Sequence, residues 1–187
     1  MASKRQRKKK IVAVGPIEVE ALGKTPVILK VKKLYPESVL PTIAYEGDAC
    51  FDLQSVENID IEPLQTQIVK TGLAYEIPTG YMMSIAPRSG ISMNFRSYLA
   101  NSPSTIDAGY RNEVFLLVCN NTFNKTMSIK QGDRIAQARL ERVIPFKFEE
   151  VEELSPSERG LKGLGSSGVH DEYSQYSEDS KEGGTKV

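Results

Sequence analysis

Short apolar segments, several of them rich in β-branched residues, recur along the middle of the chain. Turn signals such as Pro78-Thr79-Gly80 and Gln131-Gly132-Asp133 separate them. Segments of this length and spacing predict antiparallel strands in a sandwich or barrel. The predicted strands cover residues 27–31, 68–77, 81–85, 115–119, 126–129 and 134–143.

A helical period is nearly absent from the sequence. One modest helix is predicted over residues 89–98, directly after Pro87. The predicted fold class is therefore all-β, a barrel or sandwich of short antiparallel strands with one short helix.

Charge and composition divide the chain into three predicted regions. Residues 1–10 carry six basic side chains and no acid, and the chain from Asp171 onward is mostly acidic and polar. A glutamate cluster at 149–153, followed by Ser155-Pro156-Ser157, indicates the end of the folded body. We predict a disordered basic extension over 1–22, a β domain over 23–155 and a flexible arm with an acidic tail over 156–187.

The overall composition narrows the class of protein. The chain has 187 residues, 40% hydrophobic and 26% charged, which is typical of a soluble globular protein with one core. No apolar run approaches the ~18 residues of a membrane span, and no apolar segment follows the basic start as in a secretory signal. These features predict an intracellular, cytoplasmic protein without a membrane partner. Basic and acidic side chains balance at 24 each, so the net charge favours no partner.

The basic run at residues 4–10 leaves two interpretations open. Such runs occur in nuclear addresses and in arms that contact nucleic acid or a protein partner. More often they are solvated tails.

Asp107 stands in a turn-rich stretch that leads directly into the apolar strand beginning at Val114. Loops held by rigid strands often carry chemistry, and an ionised aspartate could accept a proton from water. The plainer interpretation is that the Asp107 side chain closes a turn.

Two further stretches contain groups that bind anions. Arg88 and Ser89 open the predicted helix, where backbone N–H groups, a guanidinium and a hydroxyl could meet an anion, although Ser89 could instead be an N-cap. A glycine- and serine-rich arm at 159–168 begins with Arg159. It could wrap phosphates through its backbone, although the same composition suits a flexible linker.

Two acidic residues and an amide complete the candidates. Asp48 and Asp52 stand four positions apart and, in a strand, could hold a hard cation or its water shell, or they could cap a turn. Gln137 follows a Gly-Asp turn and could be merely exposed.

Five segments occur in a fixed order along the chain: GDACFDL, PRSGIS, NSPSTIDAGYRNE, GDRIAQ and RGLKGLGSSG. Together they resemble the five motifs of the homotrimeric dUTPase family, over residues 44–168. The resemblance implies a β jelly roll and a symmetric homotrimer whose active sites are shared between the chains. It also implies that the last motif lies on a mobile arm that closes over a neighbour's site.

The resemblance implies a reaction as well: hydrolysis of dUTP to dUMP and pyrophosphate, which limits uracil in DNA and supplies dUMP. Asp107 would orient and deprotonate the water that attacks the α-phosphorus. Tyr110 would pack under the deoxyribose and exclude UTP. Asp52 would contact, through water, a Mg²⁺ cofactor bound chiefly by the three phosphates.

Substrate contacts are implied for four groups of residues. They hold the phosphates, contact the sugar, line the uracil edge or close the lid. These residues are Arg88, Ser89, Gly90, Asn101, Thr105, Ile106, Tyr110, Phe115, Gln137, Arg159, Leu164, Gly165, Ser166 and Ser167.

Three residues depart from the family pattern. Ser104 and Asn112 stand where the family usually has glycine, and asparagine is the easier of the two to accept because it tolerates a positive φ. Leu164 stands where the family usually has a phenylalanine that stacks on uracil. We therefore expect a lid that closes less tightly over the base.

Two other function classes stay open. One is a dUTPase-like fold used as a binding or regulatory protein, with the basic arm contacting the partner. The other, less favoured, is a dCTP deaminase, whose second and third motifs differ from those of this chain. Retention of Asp107, Tyr110, Arg88, Ser89 and Arg159 together favours the dUTP-hydrolysing enzyme.

Overall fold

The computed structural model describes residues 26–161, and its regular elements are ten strands and one helix. All strand pairs are antiparallel. The all-β prediction with one short helix is therefore confirmed. In chain order the elements are β1 (Lys30–Lys33), β2 (Phe51–Gln54), β3 (Ile59–Ile61), β4 (Thr66–Glu76), β5 (Tyr81–Pro87), α1 (Ser89–Phe95), β6 (Tyr98–Leu99), β7 (Ser104–Ile106), β8 (Glu113–Cys119), β9 (Met127–Ile129) and β10 (Arg134–Arg142).

The strands form three sheets within the described residues. One four-stranded sheet has the order β1-β4-β8-β6, and the other has the order β2-β10-β5-β7. Strands β3 and β9 make a two-stranded sheet. Although β2 and β5 come from distant parts of the sequence, the second sheet places the first and second motifs next to the fourth, on β10. Strand β7, from the third motif, pairs with β5 instead.

The core consists of the inward-facing residues of the sheets. Along β8, Val114, Leu116 and Val118 are buried while Phe115 is exposed, which is the alternation expected of a strand with one face on a core. Leu53 on β2 and Ile85 on β5 are also fully buried. Each such aliphatic side chain contributes roughly 1.5–3 kcal/mol by leaving water.

Several elements differ from the prediction, and β3, at Ile59–Ile61, was not among the predicted strands. The first strand starts at Lys30, whereas the sequence predicted residues 27–31. The helix ends at Phe95 because Arg96 adopts the left-handed conformation, with φ 50°, so the predicted end at 98 is wrong. Strand β6 begins at Tyr98, where the helix was predicted to end, and the stretch interpreted as a loop before Val114 contains the short strand β7. Strands of two or three residues are too short to show an alternating pattern.

The described residues 146–161 belong to a second unit, separate from the one that contains residues 26–145. Those residues contain no helix or strand. The rings of Phe146 and Phe148 meet edge to face, with centroids 5.2 Å apart, and the Gly160 amide donates to the Ser157 carbonyl at 3.0 Å. The predicted boundaries at 22 and 155 stay predictions.

The described residues 26–161 bear on a possible membrane span. None of their helices is long and apolar enough to cross a bilayer.

Candidate active site

A cavity of about 640 Å³ opens where three of the sequence motifs meet. Its walls combine β2 and the loop before it, Arg88 with the start of α1, and the first half of β10. The lining residues are Thr42, Ala44, Tyr45, Asp48, Ala49, Cys50, Asp52, Arg88, Ser89, Gly90, Arg134 and Gln137.

Strand register brings these motifs together. Gln137 on β10 lies opposite Asp52 on β2 and, on its other side, opposite Ala86 on β5. Arg88 follows β5 directly and therefore reaches the same place. Its Nε lies 2.8 Å from Asp52 Oδ1, and Arg134 Nη1 lies 3.4 Å from Asp52 Oδ2.

Arg88 is held at two points. Besides the ion pair to Asp52, its Nη1 donates to the Arg134 carbonyl at 3.2 Å. A guanidinium has five N–H donors in a rigid fork, so donors are left over for an anion. The cavity therefore presents oriented cationic donors, beside a carboxylate that is only 19% exposed.

Ser89 does not act as an N-cap. The capping position is held by Arg88, whose φ and ψ of −86° and 139° are extended, and no side chain caps the helix. The alternative of an N-capping serine is therefore wrong, and the Ser89 hydroxyl lines the cavity instead.

The two predicted carboxylates have different roles. Asp48 Oδ2 accepts a hydrogen bond from the Tyr45 amide at 3.0 Å, which closes a turn, so the turn-capping alternative is correct for Asp48. Asp52 instead forms the ion pairs with the arginines. Gln137 is half-buried and donates from Nε2 to the Pro87 carbonyl at 3.1 Å, so the merely exposed alternative is wrong.

The available carboxylates decide which kind of metal ion the cavity could accept. Residues 26–161 contain no group of three or more His, Cys, Asp or Glu side chains that could hold one. Mg²⁺ is commonly bound by substrate phosphates and waters with only one or two carboxylates. Each Asp52 oxygen has a guanidinium partner but keeps acceptor capacity for water. These residues fit a Mg²⁺ carried by a polyphosphate, with Asp52 contacting its water shell.

Asp107 lies outside this cavity, on the loop after β7. It is exposed, and within residues 26–161 its carboxylate has no hydrogen-bond or ion-pair partner. The turn is closed by main chain, because the Tyr110 amide donates to the Asp107 carbonyl at 3.1 Å. The alternative that the Asp107 side chain makes the turn is therefore wrong.

The other third-motif residues surround this loop. The Tyr110 hydroxyl donates to the Glu113 carbonyl at 2.8 Å, while its ring is 36% exposed. Thr105 and Ile106 belong to β7, opposite Ser84 and Met83 of β5. Phe115 is 37% exposed on β8.

Two of the three residues that depart from the family pattern form side-chain hydrogen bonds in the structure. Ser104 is buried, and its hydroxyl donates to Asn101 Oδ1 at 2.8 Å, which orients that amide. Asn112 has no positive φ, so the conformational reason given for accepting it is wrong. Its side chain instead accepts a hydrogen bond from the Glu113 amide at 2.8 Å.

The predicted site residues therefore fall into separate sets. Asp52, Arg88, Ser89, Gly90 and Gln137 line one cavity. The predicted site residues of the third motif do not line this cavity. Arg159 belongs to the second compact unit, and the last motif positions lie beyond the described residues. The third-motif set is Asn101, Thr105, Ile106, Asp107, Tyr110 and Phe115, and the positions beyond the described residues are Leu164, Gly165, Ser166 and Ser167.

Sequence reasoning missed some cavity residues. Arg134 stands inside the GDRIAQ segment but was given no role, and Tyr45 and Cys50 were given none at the site either. Arg134 could have been predicted from its motif. It stands only three residues before Gln137, so a strand that carries Gln137 to a phosphate site also carries Arg134 close to that site. Nothing in the sequence indicates Tyr45.

Comparison with known proteins gives the class. The sequence model of the dUTPase family matches residues 37–168. The chain is 43% identical over 140 residues to the deoxyuridine 5'-triphosphate nucleotidohydrolase of Nautilia profundicola, covering 75% of this chain and 98% of that protein. The enzyme of the same name from Tropheryma whipplei is 43% identical over 143 residues, covering 76% and 98%.

Solved structures agree with this result. The dUTPase of Staphylococcus bacteriophage 80alpha with dUpNHpp has a TM-score of 0.70 and 30% identity, covering 76% of this chain and 99% of that one. A mutant dUTPase from phage phi11 of S. aureus, described for its coordination of a structural Mg(II) ion, has a TM-score of 0.63 and 25% identity, covering 67% and 97%. The chain belongs to the dUTPase family.

Proposed function

We propose that this chain hydrolyses dUTP to dUMP and pyrophosphate, and so limits uracil in DNA and supplies dUMP. The observation that carries the proposal is the cavity at Asp52, Arg88 and Arg134, where three sequence motifs meet with cationic donors oriented by a carboxylate. Family membership supports the same reaction. The comparisons favour neither a purely regulatory protein nor a dCTP deaminase.

The cavity binds the triphosphate. Arg88, Ser89 and Gly90 hold phosphate oxygens, and Gln137 donates near the phosphates and sugar. Charge-assisted and bidentate contacts suit such an anion, because the guanidinium fork matches phosphate geometry. Mg²⁺, held by the phosphates with Asp52 at its water shell, supplies charge neutralisation when bound.

Asp107 acts on water. An exposed carboxylate with no partner among the described residues is available to accept a proton, whereas Asp52 is engaged by two arginines. Asp107 therefore orients the water and takes its proton as the oxygen attacks the α-phosphorus. The bond to the bridging oxygen breaks, and pyrophosphate leaves.

The remaining third-motif residues select the nucleoside. The Tyr110 ring packs under the deoxyribose, where a 2′-hydroxyl would collide with it, and Asn101 contacts the sugar. Thr105, Ile106 and Phe115 line the uracil edge with the backbone of the 110–115 turn. Tyr110 and Phe115 each expose about a third of their surface, at 36% and 37%, and so have area to offer a ligand.

The site is completed by other copies of the chain. The cavity holds the phosphate-binding residues but not Asp107 or Tyr110, so one subunit's cavity is proposed to meet another subunit's third motif in a homotrimer. Arg159 clamps the γ-phosphate, and Leu164, Gly165, Ser166 and Ser167 close over the nucleotide. Closure excludes water and strengthens the polar contacts.

Cellular location follows from the substrate. Because dUTP is an intracellular nucleotide, the proposed activity belongs in the cytoplasm, with the nucleus as the alternative should the basic residues 1–10 act as an address. Contact of those residues with nucleic acid or a protein stays a prediction, and they lie outside the described part of the chain.

The test is Asp107→Asn, which keeps the shape of the side chain but removes its basicity. We expect pyrophosphate release from dUTP to fall by about 10²–10⁴-fold while a slowly hydrolysed dUTP analogue still binds. Asp60→Asn, another exposed aspartate, on β3, is the matched control and should keep parental kcat. Near-parental turnover in Asp107→Asn would refute the assignment, and ammonia release from dCTP by the parent would favour the deaminase.

A further inference from the structure

Glu113 is a buried acid at the start of β8, and both of its carboxylate oxygens are engaged. Only 4% of the surface of Glu113 is exposed to solvent. Its Oε1 accepts the Gly72 amide at 2.8 Å, and its Oε2 accepts the Tyr35 hydroxyl at 3.1 Å. That hydrogen bond is the main reason why the pKa of Tyr35 is raised, so the phenol stays a donor.

The partner amide lies at an irregularity of the sheet. Between Lys70 and Ala74, four positions of β4 advance against two of β8, because Lys70 pairs with Phe115 and Ala74 with Glu113. A bulged residue loses its ladder partner. The Glu113 carboxylate satisfies the Gly72 amide in place of that partner.

The same glycine anchors the segment before β2. Its carbonyl accepts the Leu34 amide at 2.9 Å and the Ser38 hydroxyl at 2.7 Å. The Glu113 side chain therefore binds the amide of a glycine whose carbonyl is itself held by two hydrogen bonds. Glu113 therefore has a defined position relative to β4.

The main chain of Glu113 forms hydrogen bonds with two side chains of the third motif. Its carbonyl accepts the Tyr110 hydroxyl at 2.8 Å, and its amide donates to Asn112 Oδ1 at 2.8 Å. The Tyr110 ring is therefore held at one end by its own backbone and at the other by Glu113. A displacement of Glu113 would swing the ring.

We propose that Glu113 is a positioning residue for Tyr110, which sets the sugar selectivity of the site through the position of that ring. The inference rests on the proposed function, because it assumes that Tyr110 packs under the deoxyribose. A purely structural role for Glu113 would lower stability without changing which sugar is accepted. The two roles therefore differ in the dUTP-to-UTP ratio of kcat/KM.

The first experiment compares Glu113→Ala and Glu113→Gln in the full-length chain, with kcat/KM measured for dUTP and for UTP. We expect the dUTP-to-UTP ratio to fall by about tenfold or more in Glu113→Ala, since small misplacements of a positioning group have effects of that size. Glu113→Gln should keep most of the ratio, because its amide oxygen still accepts the Gly72 N–H. An unchanged ratio in folded Glu113→Ala overturns the proposal.

A matched control uses a second carboxylate, in the loop between β2 and β3, that also accepts an amide of β4. Glu57 Oε1 accepts the Lys70 amide at 3.1 Å but has no connection to Tyr110. Glu57→Ala should leave the ratio at the parental value. An equal fall in Glu57→Ala would overturn the proposal, because it would show a general response of the sheet.

Coupling to Tyr110 is measured with Tyr110→Phe, which removes only the hydroxyl that meets Glu113. The double variant with Glu113→Ala should lose no more selectivity than the stronger single variant, because both changes break one linkage. Additive losses overturn the proposal.

If Glu113→Ala fails to fold, the dUTP-to-UTP ratio of kcat/KM is measured in Tyr35→Phe instead. That substitution removes one donor to Oε2 and should lower the ratio by a few-fold, whereas an unchanged ratio overturns the positioning role. A parent chain without dUTP hydrolysis would refute the proposed function itself. A parent that hydrolyses dUTP with a ratio insensitive to Tyr35 and Glu113 would refute only this inference.

Discussion

The Asp52 carboxylate and the Arg88 guanidinium form an ion pair of 2.8 Å that joins the first sequence motif to the second. Both groups are largely removed from solvent, with 19% and 30% of their side chains exposed, so the contact is less screened than one at the surface. The pair fixes Arg88 through Nε, and the rest of the fork can meet a phosphate. Asp52 therefore has a role besides its proposed contact with the water shell of Mg²⁺.

Asp52→Asn should weaken substrate binding even though the amide has nearly the same size. Arg88 loses a charge-assisted partner, worth about 1.5–3 kcal/mol, and its orientation loosens. We expect kcat/KM for dUTP to fall by roughly 10–100-fold. Steady-state kinetics at several Mg²⁺ concentrations measure this effect. Glu141→Gln, which breaks the exposed pair with Arg139, should change nothing, and parental kinetics in Asp52→Asn would contradict the role.

Gly72 is expected to be intolerant of any side chain. Its φ is +68°, and a Cβ would lie 2.2 Å from the Ser38 hydroxyl oxygen and 2.7 Å from a Val56 methyl. Gly72→Ala should lower the free energy of unfolding by about 2–4 kcal/mol, from strain and overpacking combined. Gly80→Ala is the control, since Gly80 has φ +87° but open space at its Cβ, and it should cost roughly 1–2 kcal/mol. Equal losses in urea unfolding would show that overpacking contributes nothing.

The sequence predicted the strands of the central sheets because their apolar runs are long. β4, β5, β8 and β10 span seven to eleven residues each, and all were found. β3, β6 and β7 were missed because strands of two or three residues are too short to show a period.

The site was predicted in its residues but not in its geometry. Motif resemblance named Asp52 and Arg88, yet their ion pair depends on β10 lying between β2 and β5, which no local pattern encodes. The same holds for Glu113, whose partner Gly72 lies 41 positions away in sequence. Local chemistry also misled, because Ser89 and Asp107 carry typical capping groups but use neither for capping.

Removal of residues 159–187 should abolish most activity and leave the fold intact. The described core residues, together with those packed against them, lie between Leu29 and Leu140, so the cut removes none of them. We expect an unchanged melting temperature and a fall in kcat/KM of about a hundred-fold or more, as lost positioning groups produce. A shorter cut before Asp171 is the control and should keep activity. A cut before Arg159 that unfolds the protein would show the arm to be structural.

Mixed assemblies test whether the cavity and Asp107 of one active site come from different chains. Arg88→Ala and Asp107→Asn should each be nearly inactive alone. When equal amounts are unfolded and refolded together, a site that takes its cavity from one subunit and Asp107 from another is intact when the first carries Asp107→Asn and the second Arg88→Ala. Random assembly makes about one site in four intact, so activity should recover to roughly a quarter of the parental value. The control mixes Arg88→Ala with Gln137→Ala, two lesions of the same cavity, and every site then keeps one lesion. Recovery in neither mixture would mean that each chain supplies both groups to its own site, and equal recovery in both would show that subunit exchange repairs the fold instead of the site.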